Sequence, residues 1–295
     1  MNKPHETDYQ RTVTEVGETH FLPGTSIEII RAPELKQPPK YVVFDFDGTL
    51  SLVREGWPEV MVPMMVEILQ QTGTDETAEE LATIIMQFVM ELTGKQTIYQ
   101  MIRLAEEIEK RGGTADDPLV YKQTYNDLLM QRINARREAL RSGELPAETA
   151  LVPGSLELLE ALKSRGAEIF LASGTDEEFV KEEAKLLGIS QFFGPHIYGA
   201  VDDYKSFSKQ MVIERILREN SVDGNLLLGF GDGYVEIENI KTAGGTAVAV
   251  ASDESGRSGK PDAWKRDRLI GVGADIVIPD FQDCETLIAN LWNED

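Results

Sequence analysis

Apolar positions along the chain fall into two regimes. From residue 41 onward, short apolar runs alternate with amphipathic stretches. The runs lie at 41–44 (YVVF), 168–172 (EIFLA), 196–199, 225–230 (NLLLGF), 246–250 (TAVAV) and 276–278 (IVI). Runs this short, separated by helical segments such as PGSLELLEALKSRG, predict the buried strands of a mostly parallel α/β sheet. That helical segment starts at Pro153 and stops at Gly166, the residues that favour a helix's beginning and end. Between the first two strands, residues 54–150 carry no strand pattern. Val60, Met61, Met64, Met65, Ile68 and Leu69 step by three and four. So do Leu81, Ile84, Ile85, Phe88, Val89 and Leu92, and then Ile98, Met101, Ile102, Ala105 and Ile108. Each set forms one face of a helix, and a fourth helix is expected from Pro118 to about Arg141.

The fold class that follows is α/β: a Rossmann-like, mostly parallel sheet core with an inserted all-helical domain. Its expected bounds are 41–53 and 151–295 for the core, 54–150 for the helical insertion and 1–40 for an N-terminal extension. The extension holds Pro4, Pro23, Pro33, Pro38 and Pro39, which predicts mostly irregular chain. A small β element is expected around FLPGTSIEIIRAPE, because 26–31 has strand propensity and Pro23-Gly24 signals a turn.

Composition narrows the function. A formal charge of −22 over 295 residues argues against nucleic acid and membrane surfaces as partners. No run of some 18 apolar residues predicts a membrane span, and the polar opening predicts no signal peptide. The single cysteine, Cys284, cannot pair within the chain, which fits a reducing, cytoplasmic setting. Three scattered histidines suggest neither a histidine metal site nor a serine–histidine triad. Acid–base chemistry is therefore expected from carboxylates or lysines. A phosphate ester would meet a repulsive global field, so local cations and a metal must reverse the sign at the site.

Three polar clusters stand at strand ends, where open parallel sheets bind ligands. They are DFDGT at 45–49, SGT at 173–175 and GDG at 231–233. In the first, two carboxylates two residues apart on a strand that unwinds at Gly48 can face one cavity. In the second, Gly174 permits close approach, and a following helix would aim its N–H groups there. SGTDEE can equally be read as a helix-capping box.

In these motifs the chain resembles the haloacid dehalogenase-like superfamily, in particular its helical-cap members of the phosphoglycolate phosphatase and β-phosphoglucomutase type. The resemblance implies a magnesium-dependent phosphatase acting on a small-molecule phosphate ester: a sugar, polyol or hydroxy-acid phosphate. It makes Asp45 the nucleophile that becomes an aspartyl-phosphate, Asp47 the general acid and base, and Ser173 a hydrogen-bonding partner of the phosphoryl group. Lys209 is the charge-neutralising lysine, with Lys205 as rival. Asp45, Asp47 and Asp232 are implied as Mg2+ ligands, with Glu236 where relatives carry an aspartate. The insertion corresponds to a cap, whose loop LTGKQTIYQM brings Lys95 and Gln96 to the substrate alongside Arg54, Gly174 and Thr175. A phosphomutase that protects its aspartyl-phosphate from water shares all four motifs, and a catalytically silent binding module is a third reading. Dehalogenase chemistry is disfavoured by Asp47.

Overall fold

The computed structural model describes residues 8–33 and 37–294. Their elements, in chain order, begin with β1 (His20–Phe21), β2 (Glu28–Ile29) and β3 (Tyr41–Phe44). Four helices follow, α1 (Pro58–Gln70), α2 (Ala78–Glu91), α3 (Thr97–Lys110) and α4 (Pro118–Ser142). The chain then alternates through α5 (Ser155–Ser164), β4 (Glu168–Asp176), α6 (Glu177–Leu186), α7 (Ser190–Phe193), β5 (Ile197–Ala200) and α8 (Lys209–Asn220). It ends with β6 (Leu227–Gly231), α9 (Tyr234–Thr242), β7 (Thr246–Val250), α10 (Ala263–Gly271), β8 (Ile276–Ile278) and α11 (Cys284–Trp292).

One sheet runs β1-β2-β8-β7-β6-β3-β4-β5, parallel from β8 to β5 and antiparallel at the β1-β2 edge. The expected mixed fold with a helical cap, α1 to α4 between β3 and β4, is therefore present. So is the small N-terminal β element, which pairs with β8. Three strands differ at their ends from the apolar runs, β5 by a one-residue shift to Ile197–Ala200. β6 starts later because Gly224–Leu226 forms a tight 3-10 turn, and β4 runs on to Asp176 through a register shift against β5.

Apolar residues on both sheet faces make the core. Phe44 of β3 stacks on Phe230 of β6 at a centroid distance of 4.7 Å, and both are buried. Cap helices are bounded by their own chemistry. Thr77 and Glu80 form a reciprocal capping box on α2, while Asp117 caps α4 and Gly143 ends it in the left-handed region. The two links between cap and core pair with each other: Leu52 N–H donates to the Ala150 carbonyl and Val152 N–H to that of Leu50.

The N-terminal segment docks on α10. Arg11 makes a two-pronged ion pair with Asp267, at 2.8 and 3.0 Å, and the N–H groups of Thr12 and Val13 share the Gly271 carbonyl. The Arg268 guanidinium lies 4.0 Å from the Tyr9 ring centre and 4.8 Å from that of Tyr234. No described helix is long and apolar enough to cross a membrane.

Candidate active site

Parallel strands β3, β4 and β6 end side by side, so three sequence-distant loops share one edge. Asp45 leaves β3 still hydrogen-bonded to the Phe230 carbonyl and is only 6% exposed. The backbone then turns through Gly48 at φ +73°, where a side chain would press its Cβ to 2.2 Å from an Asp232 carboxylate oxygen. Gly48 is thus what lets Asp232, at the end of β6, approach the first motif.

Lys209 is the first residue of α8, whose N-terminus is capped by Ser208. It is buried, and its Nζ stands 2.9 Å from Asp45 Oδ1 and pairs also with Glu236. Lys205 is exposed instead, over the Tyr204 ring at 5.5 Å. Glu236, on the first turn of α9, sits against Lys209. Burial raises the pKa of Asp45, Lys209 opposes that effect, and the neighbouring charge of Asp232 adds to it.

Thr175 donates its hydroxyl to Asp47 Oδ2 at 2.7 Å, while Ser173 Oγ accepts the Thr175 N–H at 3.0 Å. The helix that follows has Asp176 at its N-cap position without a side-chain cap, so neither hydroxyl forms the capping box. Asp47 Oδ1 is buried without a hydrogen bond, 3.8 Å from Arg54 Nε. Its carboxyl is 27% exposed but ringed by protein, and burial pushes its pKa up to about 7, with Arg54 opposing. Arg54 is itself held by both oxygens of Glu183, at 3.0 and 2.9 Å.

The cap loop closes the site. Gly94, at φ +102°, lies against Gly233, and a Cβ on Gly174 would meet the Lys95 carbonyl at 2.7 Å. Lys95 turns its ammonium to Asp8 of the N-terminal segment, at 2.7 Å, and Gln96 donates to the Tyr204 and Phe207 carbonyls. Of the expected substrate contacts, Arg54, Lys95, Gly174 and Thr175 line the cavity of about 300 Å³ between cap and core.

Reading the sequence overlooked Ser252, Glu254 and Lys265. Lys265 Nζ donates to Asp232 Oδ2 at 2.9 Å, Glu254 Oε1 at 2.7 Å and Ser252 Oγ at 3.1 Å. Ser252 in turn donates to the Gly48 carbonyl at 2.6 Å. Burial works against the Lys265 charge, but Asp232 and Glu254 outweigh it and hold its pKa above the ordinary lysine range.

The donor set suits a hard cation. Among the described residues no three histidine, cysteine or acidic side chains form a cage. Two carboxylates, Asp45 and Asp232, converge on an oxygen-rich turn; burial chiefly raises the Asp45 pKa, and the charge of Asp232 adds to it. Magnesium is commonly held by one or two carboxylates, with water and substrate phosphate completing the shell.

The family described as haloacid dehalogenase-like hydrolase matches residues 39–244. This chain belongs to it. Solved structures with the same fold include a β-phosphoglucomutase from Clostridium difficile. It is 16% identical with a TM-score of 0.57, covering 87% of this chain and 98% of that one. A predicted phosphoglycolate phosphatase from Haemophilus somnus is 16% identical with a TM-score of 0.55, covering 84% and 97%. A haloacid dehalogenase-like protein of unknown function from Agrobacterium tumefaciens is 17% identical with a TM-score of 0.54, covering 85% and 98%. No curated protein matches this hydrolase by sequence.

Proposed function

We propose that this hydrolase is a magnesium-dependent phosphatase of small phosphorylated metabolites, of the sugar, polyol or hydroxy-acid phosphate kind, working through an aspartyl-phosphate on Asp45. The observation that carries the reading is the buried ammonium of Lys209 placed 2.9 Å from Asp45 Oδ1 at the mouth of three strand ends. A buried lysine there offsets the repulsion between a carboxylate nucleophile and a phosphoryl dianion.

In this reading an Asp45 carboxylate oxygen attacks phosphorus as the bond to the leaving oxygen breaks. Asp47 enters protonated, which its raised pKa favours near neutrality, and gives that proton to the leaving oxygen. Now anionic, Asp47 takes a proton from the incoming water, which attacks the aspartyl-phosphate and returns Asp45 with release of phosphate. Thr175 holds the Asp47 carboxyl in place throughout. Ser173 and the backbone around Gly174 receive the phosphoryl oxygens, and the closed cap keeps bulk water out. A magnesium ion held by Asp45, Asp232 and the Asp47 carbonyl supplies the remaining positive charge when bound.

The test is phosphate release from a panel of phosphorylated metabolites, with and without chelator, for the wild type and Asp45→Asn. Turnover should need magnesium and fall at least about a thousandfold in the variant. Full activity in excess chelator, or in Asp45→Asn, overturns the reading.

A further inference from the structure

The cavity has four cations on its wall, and each is matched by a carboxylate of the chain itself. Arg54 is held by Glu183, Lys209 by Asp45 and Glu236, and Lys265 by Asp232 and Glu254. The fourth, Lys95, belongs to the cap loop that closes on Gly174, yet its ammonium is drawn to Asp8 at 2.7 Å. There it borders a second cavity of about 340 Å³ lined by Asp8, Tyr9 and Tyr99. The Asp8 carboxylate is largely exposed, and the chain that follows it is anchored where Tyr9 packs on Arg268 and Arg11 pairs with Asp267. Three further carboxylates line the wall: Asp262, which caps α10, and Asp47 and Glu55, whose arginines are no nearer than 3.8 and 3.5 Å.

With a bound divalent ion set against the transferring phosphoryl dianion, no cation is left spare among the described residues of the wall. A second anionic group on the substrate would find no partner there and would face Asp47 and Glu55. Apolar and aromatic groups, Trp57, Pro58, Met61 and Met90 with Tyr125 beside the cap and Trp264 on the core, share the rest of the lining with uncharged polar ones such as Thr93, Thr97 and Gln100.

Building on the phosphatase reading, we propose that the substrate is a monophosphate ester whose leaving group is uncharged and presents an apolar face, and that Asp8 sets this selectivity by claiming Lys95. Of the classes proposed above this keeps sugar and polyol monophosphates; hydroxy-acid phosphates, which carry a carboxylate, and bisphosphates are excluded by the same contact. The N-terminal segment is then a specificity element, although it lies outside the residues matched by the family.

The experiment compares phenyl phosphate with para-carboxyphenyl phosphate and a sugar bisphosphate, using the full chain with saturating magnesium. Phenyl phosphate should be preferred by at least about tenfold in kcat/KM, the cost of seating an unpaired charge. Asp8→Asn should narrow that ratio severalfold, chiefly by lowering KM for the carboxylate ester, and Asp8→Glu should restore it. Equal or better turnover of the carboxylate ester or the bisphosphate by the wild type overturns the inference while leaving the phosphatase reading standing. An unchanged ratio in Asp8→Asn overturns the role given to Asp8. No phosphate release from any ester overturns the phosphatase reading, and the inference falls with it.

Discussion

Gly94 of the cap and Gly233 of the core meet backbone to backbone: a Cβ on Gly233 would stand 2.6 Å from the Gly94 Cα. The contact closes the cap directly over the motif that carries Asp232. Gly94 has a left-handed backbone that a side chain strains, whereas Gly233 has φ −100°, open to any residue. Gly233→Ala therefore adds one methyl without backbone strain, against Gly94 in the closed interface and against Glu236 Oε2 at 2.5 Å. It should prop the cap open and lower kcat/KM by about tenfold to a hundredfold, the range expected when reacting groups are misplaced by an ångström. Steady-state kinetics beside a thermal melt checks this; an unchanged kcat/KM shows that closure does not depend on the contact.

The two lysines near α8 offer a sharp comparison. Lys209 is buried on Asp45, and Lys205 is exposed. Lys209→Met should cut turnover steeply, by about a hundredfold or more, since it removes the cation facing Asp45, the nucleophile of the proposed mechanism. Lys205→Met should behave as a surface change, within about half a kcal/mol in stability. Reversed effects in the two variants would assign the neutralising role to Lys205.

Lys265 holds Asp232 and Glu254 together. Replacing it by Met leaves two largely buried carboxylates unpaired, a change of a kind that typically costs about 3 kcal/mol. A divalent cation bound beside Asp232 offsets part of that repulsion. Magnesium should therefore raise the melting temperature of Lys265→Met more than that of the wild type. Equal magnesium shifts in both proteins would place the cation away from Asp232.

Much of this arrangement was legible because it is local. A strand end followed by an aspartate or serine and a glycine carries its own instructions, and β3, β4 and β6 deliver Asp45, Ser173 and Asp232 to one edge. The cap helices were legible for the same reason, through their three-and-four periodicity. What escaped depends on long-range placement. Glu183 sits in EEFVKEEAKL, which reads as a solvated helix face, yet it is fully buried under Arg54. Ser252, Glu254 and Lys265 lie in a polar stretch that resembles a surface loop. Their one clue was that it follows a buried strand, β7, whose end shares the edge that carries Asp45, Ser173 and Asp232. Asp8 had no clue at all, since the first 40 residues have no periodicity to place them.

The edge strand β2 supplies a prediction for pH. Glu28 is buried, and Arg266 grips both of its carboxylate oxygens, at 2.7 and 2.6 Å, while Thr19 donates a third hydrogen bond at 2.7 Å. Arg266 holds the Glu28 carboxyl below the usual glutamate range, burial opposes it and Thr19 assists. A carboxylate whose folded pKa is depressed contributes stability that is fully present above its unfolded value. That contribution is lost as pH falls through the folded value. Glu28→Gln removes the titration but keeps the shape of the side chain. The stability gap between wild type and Glu28→Gln should be widest at neutral pH and close as the pH falls below about 4, the ordinary glutamate range. Denaturant midpoints of the two proteins across that range check this; a gap that stays constant with pH shows that the Arg266 pair does not lower the Glu28 pKa.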